Sequence, residues 1–600
     1  MRPQQPTRTA LKLLLILLLG SLTACGAETL PLTAPSEQPT TAAATTAAPL
    51  PTSSQPPATS TPPATSTPPP APSPTAASPA PLRLSAAAGV PPALTQAAQA
   101  LALAAPEAFT WQANPAGADV ADVGDVADVG DVGDVADVAD VADVTLSFSG
   151  ESALATWVYA AAAPFATLQD EVSSTDLQAA WQAGRLYLTP ETEQLLRAAW
   201  GSPAQPAQPL PAGDEALATA LWAAQTGYDP PALTLLPFDA LTPRLKVLRV
   251  DGLAPIDPAF DPAGYALSIP IYLAGDPAGV AQVLAAWPGP TTNRSAAHIT
   301  TVGLTGPAGM RRAVADRMDR YGINYPGEET GPVLQAVDIA HMSNENAFAS
   351  DCPPADPNDS DNVCNRDEYL SLMTWMGIDV NEMTGNHLND WGPQALLHTF
   401  DLYAANNIQT FGGGRDLASA AQPLLIEHNG NRIAFVGCNP VGPYQGWARE
   451  NYPGALPCDD YSAIKAEIGR LAAAGYQVIA TIQYLEDYQY AVLDEQRQAF
   501  DGLAAAGAAV VSGSHAHHPQ GFAFAGGQFV HYGLGNLLAD QMWSLGSRQM
   551  FIDTYTFYEG RLLNVDLWTG INEDYARVRR MTPAERQALL QAVFEASYWD

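Results

Sequence analysis

The sequence predicts a mixed α/β fold behind a long N-terminal segment that does not fold. Between residues 298 and 570, short apolar runs that end in polar residues alternate with amphipathic stretches. Alternating strands and helices are typical of α/β domains, in which functional residues gather where strands end. Because 600 residues exceed what one hydrophobic core holds, we expect more than one folded region.

The first 25 residues have the pattern of a lipoprotein signal peptide. Basic residues precede a short apolar run, and residues 22–25, Leu-Thr-Ala-Cys, resemble the bacterial lipobox, where the chain is cut before the cysteine and lipid is attached to it. The apolar run is too short for an ordinary membrane span. We therefore expect an exported protein, lipid-anchored through Cys25 on the extracytoplasmic face of the cell membrane. A plain signal peptide or an anchor helix with a chance cysteine is the alternative.

Two low-complexity segments follow. Residues 26–83 are rich in Pro, Thr, Ser and Ala, a composition that buries too little apolar surface to offset the entropy of ordering and that predicts a disordered linker. Residues 118–144 are tandem Ala/Gly-Asp-Val triplets, whose period of three fits neither a strand nor a helix. Calcium binding is one interpretation of the carboxylates. We favour an expanded low-complexity loop.

The net charge argues against one class of partner. The chain has 27 Lys and Arg against 62 Asp and Glu, a formal charge of −35. Binding to nucleic acid needs clustered positive charge, so we expect no nucleic-acid partner. The acidic balance suits an exposed protein that attracts cations.

The first folded region is expected over residues 84–297, interrupted by the triplets. Residues 143–150 and 245–252 are predicted strands, and residues 175–184 and 189–201 are predicted helices that close near a glycine. Residues 155–184 and 230–252 resemble α/β periplasmic solute-binding domains. Since the region carries no catalytic constellation, we interpret it as a binding or structural module.

Four cysteines remain after Cys25: Cys352, Cys364, Cys438 and Cys458. An even number in an exported chain predicts two disulfides. Three pairings are possible, and we favour the local pairs, Cys352–Cys364 and Cys438–Cys458. A zinc site is the alternative, although the sequence has no Cys-x-x-Cys pair.

The second region, residues 298–570, places polar side chains at the ends of its predicted strands. The residues concerned are Asn344, Glu345, Asn386, His387, Asp390, Gln483, His515, His517 and Asn536. Imidazole, amide and carboxylate groups are ligands that a divalent metal accepts. Gly513 permits a turn that would point both rings of the His-x-His pair into one cleft. His518 is expected to support this site or lie at the surface, and His341 and His531 to be packed or hydrogen-bonded.

Residues 298–545 resemble the bacterial capsule-synthesis family of the CapA, poly-γ-glutamate type. Four of its motifs recur in order. The matching residues are Asn344-Glu345; Asn386, His387, Asp390 and Gly392; Gly513, His515, His517 and Gln520; and Tyr532 with Gly533-Leu534-Gly535-Asn536. The resemblance implies a four-layered metallophosphatase-like α/β domain. Over residues 571–600 we expect a helical extension.

The resemblance also implies roles. A divalent metal of unspecified identity would bind Glu345, His387, His515 and His517. His515, His517 and Asn386 would be catalytic. The substrate would contact Asn344, Asp390, Gln483, Gln520 and Asn536.

Three departures leave catalysis open. The family opens with a strand followed by Gly-Asp, but the stretch "ITTVGLTGPAGMRR" has no carboxylate. Gln483 stands where the family has the histidine of a His-Trp-Gly element, and Ser514 replaces one histidine of the later motif. Fewer carboxylates compensate less of a metal's charge, so a centre with two metals is not expected.

Three functional hypotheses follow. The first is a surface lipoprotein of the capsule-synthesis type that acts on or retains an anionic polymer such as poly-γ-glutamate, or another cell-envelope polysaccharide or polypeptide. The second is a surface binding protein without catalysis, whose metallophosphatase-like domain is degenerate. A metallophosphoesterase acting on small phosphoesters is a third hypothesis, disfavoured by the incomplete ligand set.

Overall fold

A computed structural model describes residues 80–113 and 142–599. The described residues fall within one compact unit. The predicted signal peptide, Cys25, most of the predicted linker and nearly all of the triplet repeat lie outside the described residues. No helix in the described part of the chain is both long and apolar enough to cross a bilayer.

The first region is built on one sheet with helices packed against it. Its strands are β1 Leu82–Ala86, β2 Phe109–Trp111, β3 Val144–Ser147, β4 Ser152–Pro164, β5 Glu171–Val172, β6 Tyr187–Leu188, β7 Gln208–Pro209, β8 Thr234–Pro237, β9 Leu245–Val250 and β10 Ser268–Gly275. Its helices are α1 Pro92–Ala104, α2 Ser174–Gln182, α3 Pro190–Trp200, α4 Asp214–Ala224 and α5 Pro277–Ala286. The strand order is β2-β1-β3-β10-β4-β8-β6-β7, with β9 paired to β4 and β5 to β9.

The strands and helices predicted in this region are confirmed as β3, β9, α2 and α3. Helices α2 and α3 begin where the side chains of Ser173 and Thr189 accept hydrogen bonds from the backbone of the first turn. Strand β1 begins at Leu82, two residues inside the predicted linker, because Leu82 and Arg83 pair with β2. Whether residues 84–297 form a separate solute-binding-like domain stays a prediction.

The second region contains two larger sheets and two short ribbons. Its strands are β11 Ile299–Thr305, β12 Pro307–Ala308, β13 Ile339–Asn344, β14 Phe348–Ala349, β15 Asn365–Arg366, β16 Val380–Glu382, β17 Gln409–Phe411, β18 Gly413–Gly414, β19 Leu424–His428, β20 Asn431–Cys438, β21 Gly454–Ala455, β22 Gln477–Gln483, β23 Ala508–Ser514, β24 Phe522–Ala525, β25 Gln528–His531, β26 Gln549–Tyr558, β27 Arg561–Glu573 and β28 Arg577–Arg580. Its helices are α6 Arg312–Tyr321, α7 Gly331–Leu334, α8 Leu370–Trp375, α9 Pro393–Ala405, α10 Leu417–Ala420, α11 Ser462–Ala473, α12 Asp494–Ala505, α13 Leu545–Arg548 and α14 Pro583–Glu595.

The two larger sheets pack face to face. One has the order β17-β16-β13-β11-β26-β27-β28, with β12 paired to β13, and the other has the order β19-β20-β22-β23-β25-β24. Apolar residues of both sheets share one core. Helices α6, α8 and α9 pack on the outer face of the first sheet, and α11 and α12 on that of the second. The region is therefore a four-layered α/β arrangement, as the resemblance implied.

The C-terminal segment differs from the expected helical extension over residues 571–600. Strand β27 continues to Glu573 and β28 pairs with it, so residues that were expected to begin the helical extension belong to the sheet. The helix is confined to α14, whose Leu590 and Phe594 are buried in the core between the sheets. Burial of this apolar face explains why the helix docks rather than projects.

Both local disulfides are present. Cys352 is bonded to Cys364 and Cys438 to Cys458. The first closes the loop that follows β14, and the second ties the end of β20 to the segment before α11. The alternative of a zinc site at these cysteines is therefore wrong.

Candidate functional site

Three buried side chains converge at one end of the sandwich, by which we mean the two larger sheets packed face to face. Glu345, His515 and His517 each offer one potential ligand atom, and these three atoms lie within 4.8 Å of one another. Among the described residues, this is the group of side chains found that could hold a metal ion. Their exposed fractions are 4%, 6% and 7%. We call these three residues the triad.

Strand periodicity explains why these residues meet. Side chains along a strand alternate between faces, so Ile339 and Glu345 of the β13 stretch share a face, as do Ile479 and Gln483 of β22. Ile339 and Ile479 both lie in the core between the sheets. The polar residues therefore occupy one end of that core, where both strands finish. Gln483 of one sheet accordingly donates a hydrogen bond to Glu345 of the other, at 2.8 Å.

Backbone contacts fix the position of Glu345. Its N–H donates to the carbonyl of Ala308, at 2.9 Å. A Cβ at Gly385 would lie 2.9 Å from Glu345 Cα, so the absence of a side chain lets the loop that carries Asn386 approach closely.

The turn that presents the two histidines differs from the expected one. His515 and His517 themselves adopt the left-handed region, with φ of 77° and 54°. Such values are uncommon for residues other than glycine and cluster at functional sites. Gly513 instead lies within β23, where a Cβ would come 1.9 Å from the carbonyl oxygen of Tyr532. It therefore allows a close approach of two strands rather than the turn.

Hydrogen bonds select the same tautomer in both rings. His515 Nδ1 lies 2.7 Å from the carbonyl oxygen of Tyr484, so this nitrogen donates. His517 Nδ1 lies 2.6 Å from Asn536 Oδ1. Asn536 Nδ2 donates at 2.9 Å to the Ser547 carbonyl, which identifies Oδ1 as the acceptor of the ring proton. Both Nε2 atoms therefore keep a lone pair, as in metal-binding histidines held by an outer hydrogen bond.

The charges within the site are coupled. Burial acts to raise the pKa of Glu345, but His517, His515, His387 and the amide of Gln483 bring it below its usual value. Burial lowers the pKa of His517; Glu345 opposes that effect, and His515 adds to it. The carboxylate form of Glu345 and the neutral form of His517 are those that a metal binds.

Gln483 connects the triad to its surroundings. Its Nε2 donates to Glu345 and lies 3.3 Å from Asn386 Oδ1, and its Oε1 lies 2.9 Å from the hydroxyl of Ser514. Gln483 and Ser514 therefore form a neutral network beside the carboxylate of Glu345.

A second carboxylate lies beneath this network. Glu382 is buried, accepts a hydrogen bond from Thr384, and has Oε2 3.4 Å from His341 Nε2. His531 is likewise buried and bonded to Asp553, at 2.6 Å. The expectation that His341 and His531 are packed or hydrogen-bonded agrees with these positions. Sequence reasoning missed Glu382, which is the last residue of the short strand β16 and is 1% exposed.

The remaining predicted residues divide into two groups. His387 Nδ1 is paired with Asp390 at 2.5 Å, and its influence on Glu345 places it near the triad but outside the 4.8 Å group. Asn344 instead donates to the hydroxyl of Tyr403 and accepts from Asn365. Its amide is committed to internal bonds, which favours a structural role.

Gln520 and His518 are also engaged elsewhere. Gln520 accepts from Gln496 at 3.0 Å and donates to Asp487 at 3.3 Å. His518 is buried against the ring of Tyr490, with centroids 4.5 Å apart, so it does not lie at the surface. The roles of all these residues towards a substrate stay predictions.

The residues of the triad fit a divalent transition metal. One carboxylate and two imidazoles through Nε2 form a His₂Glu set, which in catalytic zinc sites leaves a further position for water or substrate. Both rings are oriented by outer hydrogen bonds and the carboxylate is ionised, which meets the requirements for coordination.

Replacing Asn536 tests the outer hydrogen bond. We expect Asn536→Ala to weaken zinc binding by about 10- to 100-fold, because His517 loses the acceptor that fixes its tautomer. Competition with a chromogenic chelator measures the change. Asn406→Ala, which removes an exposed amide bonded to Leu402 on α9, is the control. An unchanged zinc affinity in the Asn536 variant would show that this bond does not orient a ligand.

Comparisons with known proteins agree on one family. The family described as "Bacterial capsule synthesis protein PGA_cap" matches residues 290–541. The PGA biosynthesis protein CapA of Bacillus subtilis (strain 168) is 24% identical over 247 residues, which cover 41% of this chain and 65% of the relative. The capsule biosynthesis protein CapA of Bacillus anthracis is 23% identical over 252 residues, 41% of this chain and 61% of the relative. The chain thus spans less than two thirds of the length of these relatives.

Solved structures give weaker likenesses. An NAD nucleotidase of Haemophilus influenzae aligns with a TM-score of 0.28 and 10% identity, over 50% of this chain and 57% of the other. An ABC-type phosphate transport receptor of Vibrio cholerae aligns with a TM-score of 0.24 and 12% identity, over 34% of this chain and 93% of the other. Both TM-scores are below 0.5, so neither likeness supports a conclusion.

Proposed function

Residues 290–541 match the family described as bacterial capsule synthesis protein, and on this premise we propose that the chain acts in making or retaining an anionic capsule polymer such as poly-γ-glutamate. The observation that carries the proposal is the buried triad at one end of the core between the two larger sheets. The matching family motifs supply its residues, and these residues are poised for coordination rather than buried in apolar packing.

The proposed site holds one divalent metal through Glu345, His515 and His517, with His387 near enough to join or to bind the ligand. Such a metal would supply Lewis-acid activation of a carbonyl or phosphoryl oxygen, or of water. Asn386 would orient the substrate, because its amide lies at the same rim and contacts Gln483. In a site without metal, His515 or His517 would serve as general acid or base.

The proposal includes a cellular location and a class of partner. The protein would be exported and held by lipid at Cys25 on the extracytoplasmic face of the membrane, with the segment from residue 26 to the start of β1 as a spacer. Its partner would be an anionic polymer or another envelope polysaccharide or polypeptide, and not a nucleic acid. Residues 84–297 would form a solute-binding-like module that presents ligand to the four-layered region, whose first sheet continues to Arg580.

Metal analysis of the purified protein tests the proposed centre. We expect about one divalent ion per chain after loading with zinc or manganese and gel filtration, because the triad offers one set of ligands. Incubation with γ-linked oligoglutamate, followed by mass spectrometry with and without a chelator, tests action on the polymer. Absence of stoichiometric metal together with absence of polymer binding or cleavage would refute the proposal.

A second function is favoured by two specific positions. Gly306-Pro307 directly follows β11 where the family has Gly-Asp, and the neutral Gln483 replaces a histidine. With these groups missing, the protein would bind the polymer without cleaving it. Binding that raises the melting temperature and is unaffected by chelator would favour this second function over the first.

A further inference from the structure

We propose that Arg311 forms an oxyanion subsite beside the triad and binds a carboxylate or phosphate group of the ligand. The inference deepens the proposed function, since it assumes that the ligand of the capsule-type site reaches the triad. It assigns to the ligand a negative charge next to the reacting position.

The path of the chain brings Arg311 to the site. Strand β12 pairs with the last residues of β13, and the carbonyl of Ala308 accepts the N–H of Glu345. At Gly309, a Cβ would lie 2.7 Å from Asn346 Oδ1 and 3.8 Å from Arg311 Nε. The arginine side chain therefore folds back over Gly309 towards Asn346, the residue that follows Glu345.

The guanidinium of Arg311 is a charged group without a direct partner. In the described part of the chain it makes no hydrogen bond and no ion pair, although it is only partly exposed. The adjacent Arg312 instead forms a two-point pair with Asp540, at 3.1 and 2.7 Å. A structural arginine is expected to pair as Arg312 does, because withdrawing a charge from water without a partner is unfavourable.

Nearby carboxylates attract Arg311 without reaching it. Burial lowers the pKa of Arg311, Arg312 adds to this effect, and Glu345, Asp540 and Asp390 oppose it. These influences locate the guanidinium among the acids that border the site. The five N–H donors of a guanidinium form a planar fork that matches a carboxylate or a phosphate.

The residues that replace the family's charged groups also make the site less negative. Pro307 follows Gly306 at the end of β11, where the family has an aspartate, and Gln483 is neutral. The stretch that lacks the aspartate carries Arg311 four residues later. A site with one carboxylate fewer and an unpaired guanidinium is better suited to an anionic ligand than to a second metal.

Calorimetric titration of the full chain, loaded with zinc, tests the subsite. The probes are γ-linked pentaglutamate and inorganic phosphate, which separate a carboxylate source from a phosphate source. We expect Arg311→Met to weaken binding of at least one probe by roughly 10- to 100-fold, since a hydrogen-bonded charge pair is lost. Arg311→Lys keeps the charge but not the planar fork of donors, so its affinity for the probe should fall between those of the unmodified protein and Arg311→Met.

The control is Arg415→Met, which removes an arginine paired with the exposed Asp401. Zinc content is measured in every variant. Unchanged affinity for both probes in Arg311→Met, or no binding of either probe to the unmodified protein, would overturn the subsite. Loss of zinc together with loss of affinity would also overturn it, because Arg311 would then act through the triad. If Arg311→Met does not fold, an unaltered affinity in Arg311→Lys would count against the fork. A subsite that fails while zinc remains stoichiometric leaves the proposed metal centre intact.

Discussion

Replacing His515 and His517 together with alanine is expected to abolish stoichiometric binding of a divalent metal. The two imidazoles supply two of the three triad ligands, and a single carboxylate in water does not hold a transition metal tightly. Because loss of an outer hydrogen bond alone costs about 10- to 100-fold in affinity, loss of both ligands should exceed about 100-fold. Elemental analysis after gel filtration and competition titration with zinc measure this change.

Two further variants make the result specific. His398→Ala removes a histidine that is paired with Asp367 at 3.0 Å and is 36% exposed, so it controls for incidental binding by surface imidazoles. His515→Asn with His517→Asn preserves the left-handed backbone, which asparagine tolerates better than alanine. Full metal content in the folded asparagine variant would contradict the triad as the metal centre.

The rim of the site was predictable from sequence to the extent that strand periodicity controls it. Apolar runs followed by Glu345, Gln483 and His515 identify strand ends. The parallel pairing of β22 with β23 brings Gln483 and His515 to one edge, whereas Glu345 comes from the facing sheet. Of the two hydrogen-bond partners that orient the imidazole rings, only one could be predicted from the sequence. Asn536 carries a side chain that a motif can identify, whereas the acceptor for His515 is the backbone carbonyl of Tyr484, which every residue type offers.

Other features depended on three-dimensional packing. Asn344 lies in a predicted motif, but its amide turns towards Tyr403 because a buried amide must find partners. Arg311 and Arg312 are adjacent in sequence, and only their surroundings distinguish the paired side chain from the unpaired one. The packing of the first region against the two larger sheets was likewise not predicted. The sequence shows which of its residues are apolar, but not which hydrophobic core each of them joins.

Replacing Phe165 with alanine is expected to lower the free energy of unfolding by about 3–5 kcal/mol. Phe165 follows β4 of the first region, is 1% exposed, and lies in the core between the two sheets of the second. Its ring packs against five aromatic rings at centroid distances of 5.3–6.2 Å: Phe522, Phe524, Phe529, Phe594 and Trp599. The variant leaves a cavity in this cluster and removes its edge-to-face contacts.

The form of the unfolding curve carries additional information. Because Phe165 belongs to a core shared by both regions, the variant should shift the whole transition to lower urea concentration, as followed by tryptophan fluorescence. Leu103→Ala, at a side chain that is 83% exposed, should leave the transition in place. An early transition that accounts for only part of the signal would mean that the sandwich is stable without the first region. The triad lies in the sandwich, so zinc bound throughout such an early transition would show that the site does not depend on the docked first region.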